Sequence, residues 1–104
     1  MDAAKLEAVW EYKTSPLYTA AERVALDFAI AAASQPNDVS DALFEALKRH
    51  WSEGQIVEIL AVVSLFGFMN RWNDSLATPL EEEPIEVGEK HLARHGWDAG
   101  KHRR

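Results

Sequence analysis

The chain contains no cysteine. That absence excludes disulfides, thiolate nucleophiles, CxxC redox chemistry and cysteine-ligated zinc together. Cations are also scarce: 11 Lys and Arg stand against 17 Asp and Glu, for a formal charge of −6. Non-specific phosphate binding draws on clustered cations, and the one basic run here is Lys101, Arg103 and Arg104, so no nucleic-acid partner is expected. The longest apolar run, Ile59 to Met69, falls short of the roughly 18 residues of a membrane span. Met1 to Leu6 carries Asp2 and no apolar signal core, so the expected setting is cytoplasmic, without a membrane. P-loop, GxGxxG and Ser/His/Asp patterns are missing, which leaves nucleotide binding and nucleophilic hydrolysis without support. No alternating run suggests a sheet.

What is present is helical punctuation. A chain of 104 residues, 47% hydrophobic, can bury one core without metal or disulfide staples. Leu6, Val9 and Trp10 place a short opening helix over Ala3 to Tyr12, stopped by Ser15-Pro16. Thr19-Ala20-Ala21-Glu22 has the form of a capping box, and Ala21, Val24, Ala25, Phe28 and Ala32 then recur at helical spacing. Arg23 and Asp27 are expected as an exposed i,i+4 pair on the opposite side. Ser40 is the N-cap of a third helix carrying Leu43, Phe44, Leu47 and Trp51, and Ser52 to Gln55 repeats the capping logic. From Ile56 to Met69 the fourth helix is apolar nearly all round, the pattern of a buried centre. The polar patch Asn70-Arg71-Trp72-Asn73-Asp74 ends it. Beyond Pro79 the composition turns acidic, with a short helix over Ile85 to His95 closed by Gly96. The reading is an all-α bundle of four main helices, residues 1–78, followed by an extended C-terminal arm, residues 79–104.

Two places carry candidate chemistry. Glu58 stands in the most apolar helix, in line with Val62, Leu65 and Met69, where burial would raise its carboxyl pKa and make it a general acid or base; an ion pair with Arg23, Arg49 or Arg71 is the structural alternative. Asn70, Arg71, Asn73 and Asp74, beside Trp51 and Phe68, form a candidate pocket in which Arg71 grips a carboxylate through both guanidinium nitrogens. Twelve helical residues separate Glu58 from Asn70 by about 18 Å, so they share a pocket only if the helix bends at Gly67 or two subunits meet. His91 and His95 stand at i,i+4, but without the glutamate of a metalloprotease helix they read as a solvated face. No metal and no cofactor is expected.

The stretch from Trp10 to about Leu80 resembles the carboxymuconolactone decarboxylase and alkylhydroperoxidase D superfamily, in particular the C-terminal half of its longer members. The residues carrying the resemblance are Ser15-Pro16-Leu17 through Leu26, Ile56-Val57-Glu58-Ile59 and Asn70-Arg71-Trp72-Asn73-Asp74. The resemblance implies an alkylhydroperoxidase D-like helical bundle, assembly as trimers or hexamers, and either muconolactone decarboxylation or thiol-based peroxide reduction. Laid on the family motif, its glutamate falls at Glu58, its two cysteines at Asn70 and Asn73, and its histidine at Ala77. Asparagine supplies neither a nucleophile nor a redox couple, so peroxidase activity is not expected.

Three functional readings follow. The leading one is a thiol-free homo-oligomer, dimer to hexamer, that binds a small carboxylic acid, because a half-length bundle leaves apolar faces for a second copy to cover. Its enzymatic rival is a cofactor-free decarboxylase of a lactone acid, in which Arg71 holds the carboxylate and Glu58 or His50 moves the proton. The third is a structural module that pairs with a separate CxxC-bearing protein.

Overall fold

Side-chain caps set four of the helix starts: Asp2 accepts from the Ala4 amide at 3.2 Å, and three more cap the helices that meet in the core. In the computed structural model the Thr19 hydroxyl accepts from the Glu22 amide at 3.1 Å and the Glu22 carboxylate accepts from the Thr19 amide at 3.0 Å. Ser40 accepts from Leu43 at 3.1 Å, while Ser52 and Gln55 exchange bonds of 3.2 and 2.9 Å. Each cap answers amides that the first helical turn leaves without a partner. The helices are α1 (Ala3–Glu7), α2 (Ala20–Ala33), α3 (Asp41–Lys48), α4 (Glu53–Leu76) and α5 (Glu82–His91), with single 3₁₀ turns at Val9–Glu11, Ala93–His95 and Gly100–His102. The structure describes residues 2–103, without a strand among them. Met1, in the segment read for a signal core, and Arg104, in the basic run, lie outside the described residues.

The core sits where α2, α3 and α4 meet. Val24, Phe28, Leu47 and Ile56 are buried there, with Leu43, Ala46, Trp51 and Ile59 packed around them. Leu47 is completely enclosed. The N-terminal segment folds over α2 and changes the roles expected of two charged residues. Arg23 donates to the backbone oxygens of Tyr12 at 3.1 Å and Ser15 at 2.6 Å, and Asp27 accepts from the Tyr12 hydroxyl. They are therefore half-buried anchors, not an exposed pair.

The segment after Pro79 returns to the body at two points. His91 bonds to Glu7 at 2.9 Å, and the His95 ring stacks on Trp10 with centroids 4.8 Å apart, so neither lies on a solvated face. The helix ends at His91, which takes the two histidines off the i,i+4 register read from the sequence. Gly88 is buried flush against the Trp97 ring, in space that a Cβ would occupy. At the far end, Leu80 N–H donates to the His102 carbonyl at 2.8 Å and His102 Nδ1 bonds to the Thr78 carbonyl at 2.6 Å.

Helix α4 departs most from expectation. It does not stop at the polar patch but runs on to Leu76, because no proline or glycine interrupts it between Asn70 and Ser75. At 24 residues it is long and apolar enough to cross a membrane by length and composition. Glu53, Glu58, Arg71 and Asp74 lie within it, residues that hydrocarbon disfavours. Nor is it a buried centre: of its residues Ile56 alone is fully buried. Ile56, Ile59, Val63 and Gly67 form the stripe turned toward the rest of the bundle, and most of the remaining apolar side chains face outward. The radius of gyration is 15.3 Å, against about 13 Å for a compact domain of this length. The accessible surface of 7513 Å² exceeds by about 1,600 Å² the value scaling predicts for a folded monomer of 11.7 kDa.

Candidate functional site

Small residues open a cleft between the C-terminal ends of α2 and α4. Ala32, Ala33, Ser64 and Gly67 leave about 840 Å³, walled by Phe68 and Trp72 and edged by Gln35, Asn70, Arg71 and Ser75. The continuation of α4 makes this possible. Ser64, Phe68, Arg71 and Ser75 recur at i, i+4, i+7 and i+11, so one helical face presents a hydroxyl, an aromatic ring, a guanidinium and a second hydroxyl in succession. The Phe68 and Trp72 rings lie 6.0 Å apart at 25°. Among the described residues no carboxylate pairs with Arg71. Its charge is available to an anion, and the ring faces beside it suit a planar apolar body.

Of the residues singled out from sequence, Phe68, Asn70 and Arg71 come together here. Asn73 and Asp74 open instead on a neighbouring hollow of about 630 Å³, which Asn70, Thr78, Glu81 and His102 also line. Asp74 is already engaged: His102 Nε2 lies at 3.4 Å and Lys101 Nζ at 3.3 Å from its carboxylate. Those two contacts, His102 first, hold its carboxyl below the usual aspartate range. Trp51 stands apart, its indole N–H donating to the Ala21 carbonyl at 3.0 Å while its ring packs on the core. Glu58 lines neither hollow and is exposed, so the burial expected of it is not found within this chain. Since α4 runs unbroken through Gly67, Glu58 and Asn70 keep their separation of about 18 Å.

Sequence reasoning missed Ser64, Ser75 and Gln35 as wall residues and His102 as the cap of the second hollow. The i, i+4, i+7, i+11 stripe was a usable signal for the two serines, had the helix been carried past Met69. His102 had none, since its contact spans 28 residues.

Ala77, the position the resemblance aligns with a histidine, terminates α4 with left-handed backbone angles of 51° and 44°. A Cβ is unfavourable there by about 1 kcal/mol, so Ala77→Gly is expected to stabilise the protein by about 0.5–1 kcal/mol. Urea denaturation monitored by helical circular dichroism checks this; an unchanged or lower midpoint contradicts it.

No family model matches the sequence. Curated protein YnjA of Escherichia coli K12, described as uncharacterized, is 35% identical over 77 residues, covering 74% of this chain and 42% of its own. The crystal structure of the debrominase Bmp8 superposes with a TM-score of 0.79 at 34% identity, covering 86% of this chain and 48% of that one. A cysteine-to-alanine form of Bmp8 in complex with 2,3,4-tribromopyrrole gives a TM-score of 0.80 over the same shares. This chain has the fold of that debrominase over nearly its whole length. The expected all-α, alkylhydroperoxidase D-like bundle is the architecture found. The chain spans about half the length of the relatives it matches.

Proposed function

We propose that this chain is a carboxymuconolactone decarboxylase-like protein without redox thiols, which binds a small carboxylic acid in the α2–α4 cleft and does so as a homo-oligomer. The observation that carries the reading is the unpaired guanidinium of Arg71 beside the Phe68 and Trp72 rings. A planar acid can place its ring against those faces and its carboxylate on Arg71, with Ser64, Ser75 and Asn70 within reach of polar substituents. The bromopyrrole held by Bmp8 is a planar ring of suitable size, which supports a flat ligand in a protein of this fold. Chemistry that depends on a cysteine would need one from outside these 104 residues, which hold none.

The decarboxylase reading asks Glu58 or His50 to reach an acid held by Arg71, and neither lines the cleft within one chain. Pairing with a separate thiol-bearing protein draws support from the half-length match to YnjA and Bmp8.

Titration with benzoate, using benzamide as the uncharged comparison, tests the leading reading by amide chemical shifts. Benzoate is expected to shift the amides of Ser64 to Ser75 and benzamide to bind more weakly. Arg71→Gln is expected to weaken benzoate by about 10- to 100-fold, the scale of a lost charge-assisted hydrogen bond. Equal binding of the two ligands, or an unaffected Arg71→Gln protein, overturns it.

A further inference from the structure

The C-terminal 3₁₀ turn Gly100–His102 leans on the end of α4 and sets one ring between two acceptors. His102 Nδ1 lies 2.6 Å from the Thr78 carbonyl oxygen, and Nε2 lies 3.4 Å from the Asp74 carboxylate. A neutral imidazole donates from one nitrogen and carries a lone pair on the other, so either neutral tautomer sets a lone pair against an oxygen. The imidazolium alone donates to both. Several contacts fix the ring in place: its side chain is 20% exposed, its backbone carbonyl accepts from Leu80 N–H at 2.8 Å, and Ala99 ahead of the turn is buried. Lys101, the second cation on Asp74, is more exposed and reaches the carboxylate at 3.3 Å from a flexible stem. The charged groups facing the ring are Asp74 on α4, Lys101 on its own turn, and Glu81 just ahead of α5, which lines the same hollow; Arg103 is paired with Glu89. Asp74 follows Arg71 by three residues on α4, a spacing that brings the two β-carbons to about 5–6 Å. Asn70 borders both the cleft and the hollow that His102 lines.

We propose that protonated His102 is a positioning residue for the cleft: it holds Asp74 away from Arg71 and so keeps the guanidinium open to a carboxylate. The regulation rests on the cleft reading above; the His102–Asp74 contact does not. As pH rises through the titration of an imidazole, ordinarily near 6.5, the ring keeps only one of its two bonds. The Thr78 bond is the shorter, so the remaining proton stays on Nδ1 and the Nε2 lone pair faces the Asp74 carboxylate. Lys101 then holds Asp74 alone, as an exposed pair of little strength. Asp74 has Arg71 within side-chain reach, and its charge either pairs with the guanidinium or repels an incoming carboxylate. Both outcomes oppose an anion in the cleft. Binding is therefore strongest with the ring protonated and weakens as pH rises. One to two unit charges changed at about 7 Å in water correspond to about a 3- to 10-fold change in affinity at low salt.

Benzoate affinity at pH 5.5 and 8.5 in 20 mM salt, read from the amide shifts of Ser64 to Ser75, tests the proposal. The native protein is expected to bind benzoate about 3- to 10-fold more weakly at pH 8.5. Asp74→Asn is expected to bind at pH 8.5 as tightly as the native chain does at pH 5.5. His102→Ala is expected to bind at both pH values as weakly as the native chain does at pH 8.5. The two variants move in opposite directions, whereas damage to the fold weakens binding in both. The contact itself is read without benzoate. In an acid titration of the Asp74 side-chain carbon signal, His102→Ala is expected to move the midpoint up toward the ordinary aspartate range. An unmoved Asp74 midpoint, a native affinity that is level across the pH range, or a pH dependence that survives in Asp74→Asn overturns the proposal. If benzoate binds none of the three proteins at either pH, the cleft reading falls and takes the regulation with it, while the Asp74 titration still decides the contact.

Discussion

Phe28→Ala is expected to cost about 3–5 kcal/mol, the range for removing an aromatic side chain from a closed core. Phe28 is 3% exposed and meets Val24, Leu47 and Ile56 where three helices converge. The surroundings have little capacity to collapse into the space, because Leu47 is already completely enclosed and α2 is held at its start by the Thr19–Glu22 box. Small domains have a total stability of about 5–15 kcal/mol, and this one spreads its apolar residues over an open shape with a small buried cluster. The variant is therefore expected to be largely unfolded at 37 °C, with its helical signal reduced at 25 °C. Urea denaturation of the native protein and the variant, at one protein concentration, provides the measurement. A loss below 1 kcal/mol would mean that the α2–α3–α4 junction is not the stabilising centre. Val57→Ala is the matched control: Val57 is 65% exposed, so its truncation should change stability by less than about 0.5 kcal/mol.

The contrast between those two valine and phenylalanine positions shows how much of the fold could be read in advance. Local rules worked where the deciding partner lies a few residues away. Thr19, Ser40 and Ser52 each cap the helix assigned to them, and the α2 repeat correctly turns Val24 and Phe28 inward. They failed where the partner is distant. Arg23 and Asp27 have the spacing of a surface pair, but the returning N-terminal segment supplies the Tyr12 and Ser15 oxygens and the Tyr12 hydroxyl. His91 and His95 are drawn to Glu7 and Trp10 across more than 80 residues. In α4 the error was of another kind: polarity at Asn70 to Asp74 was read as a helix end, although polar residues propagate a helix well when no breaker intervenes. The candidate site divided accordingly. Phe68, Asn70 and Arg71 converge because they share one helix, whereas Trp51 was attached by its chemical type and belongs to the core.

Acid is expected to loosen this protein from its terminal segments inward. Three carboxylates tie those segments to the body or to each other, and all three have pKa values below their ordinary range. Glu22 is pulled down to about 2 by Lys5 of α1 and by the Thr19 amide, Glu7 is lowered chiefly by His91, and Asp74 chiefly by His102. A carboxylate with a lower pKa in the folded state favours folding fully above its unfolded pKa, about 4.3 for Glu, and loses that contribution as pH falls through the folded value. The melting temperature should therefore be nearly level from pH 7 to 5 and fall between about pH 4.5 and 2. All three ties are solvent-accessible, so the fall should be shallower in 0.5 M salt. Glu22→Gln keeps the cap geometry while removing the Lys5 charge contact, and should flatten part of the acid limb while lowering the neutral plateau slightly. The alkaline side has the opposite sign and a different residue. Burial first, then Asp27, raises the Tyr12 hydroxyl to about 12, so the neutral phenol is the folded form; its contribution is intact below pH 10 and is lost as pH rises from about 10 to 12. Tyr12→Phe should remove that alkaline limb and leave the acid limb unchanged. Thermal melts of the three proteins across pH 2–11.5 separate the two ends, and an acid limb of equal steepness in Glu22→Gln would remove Glu22 from the account.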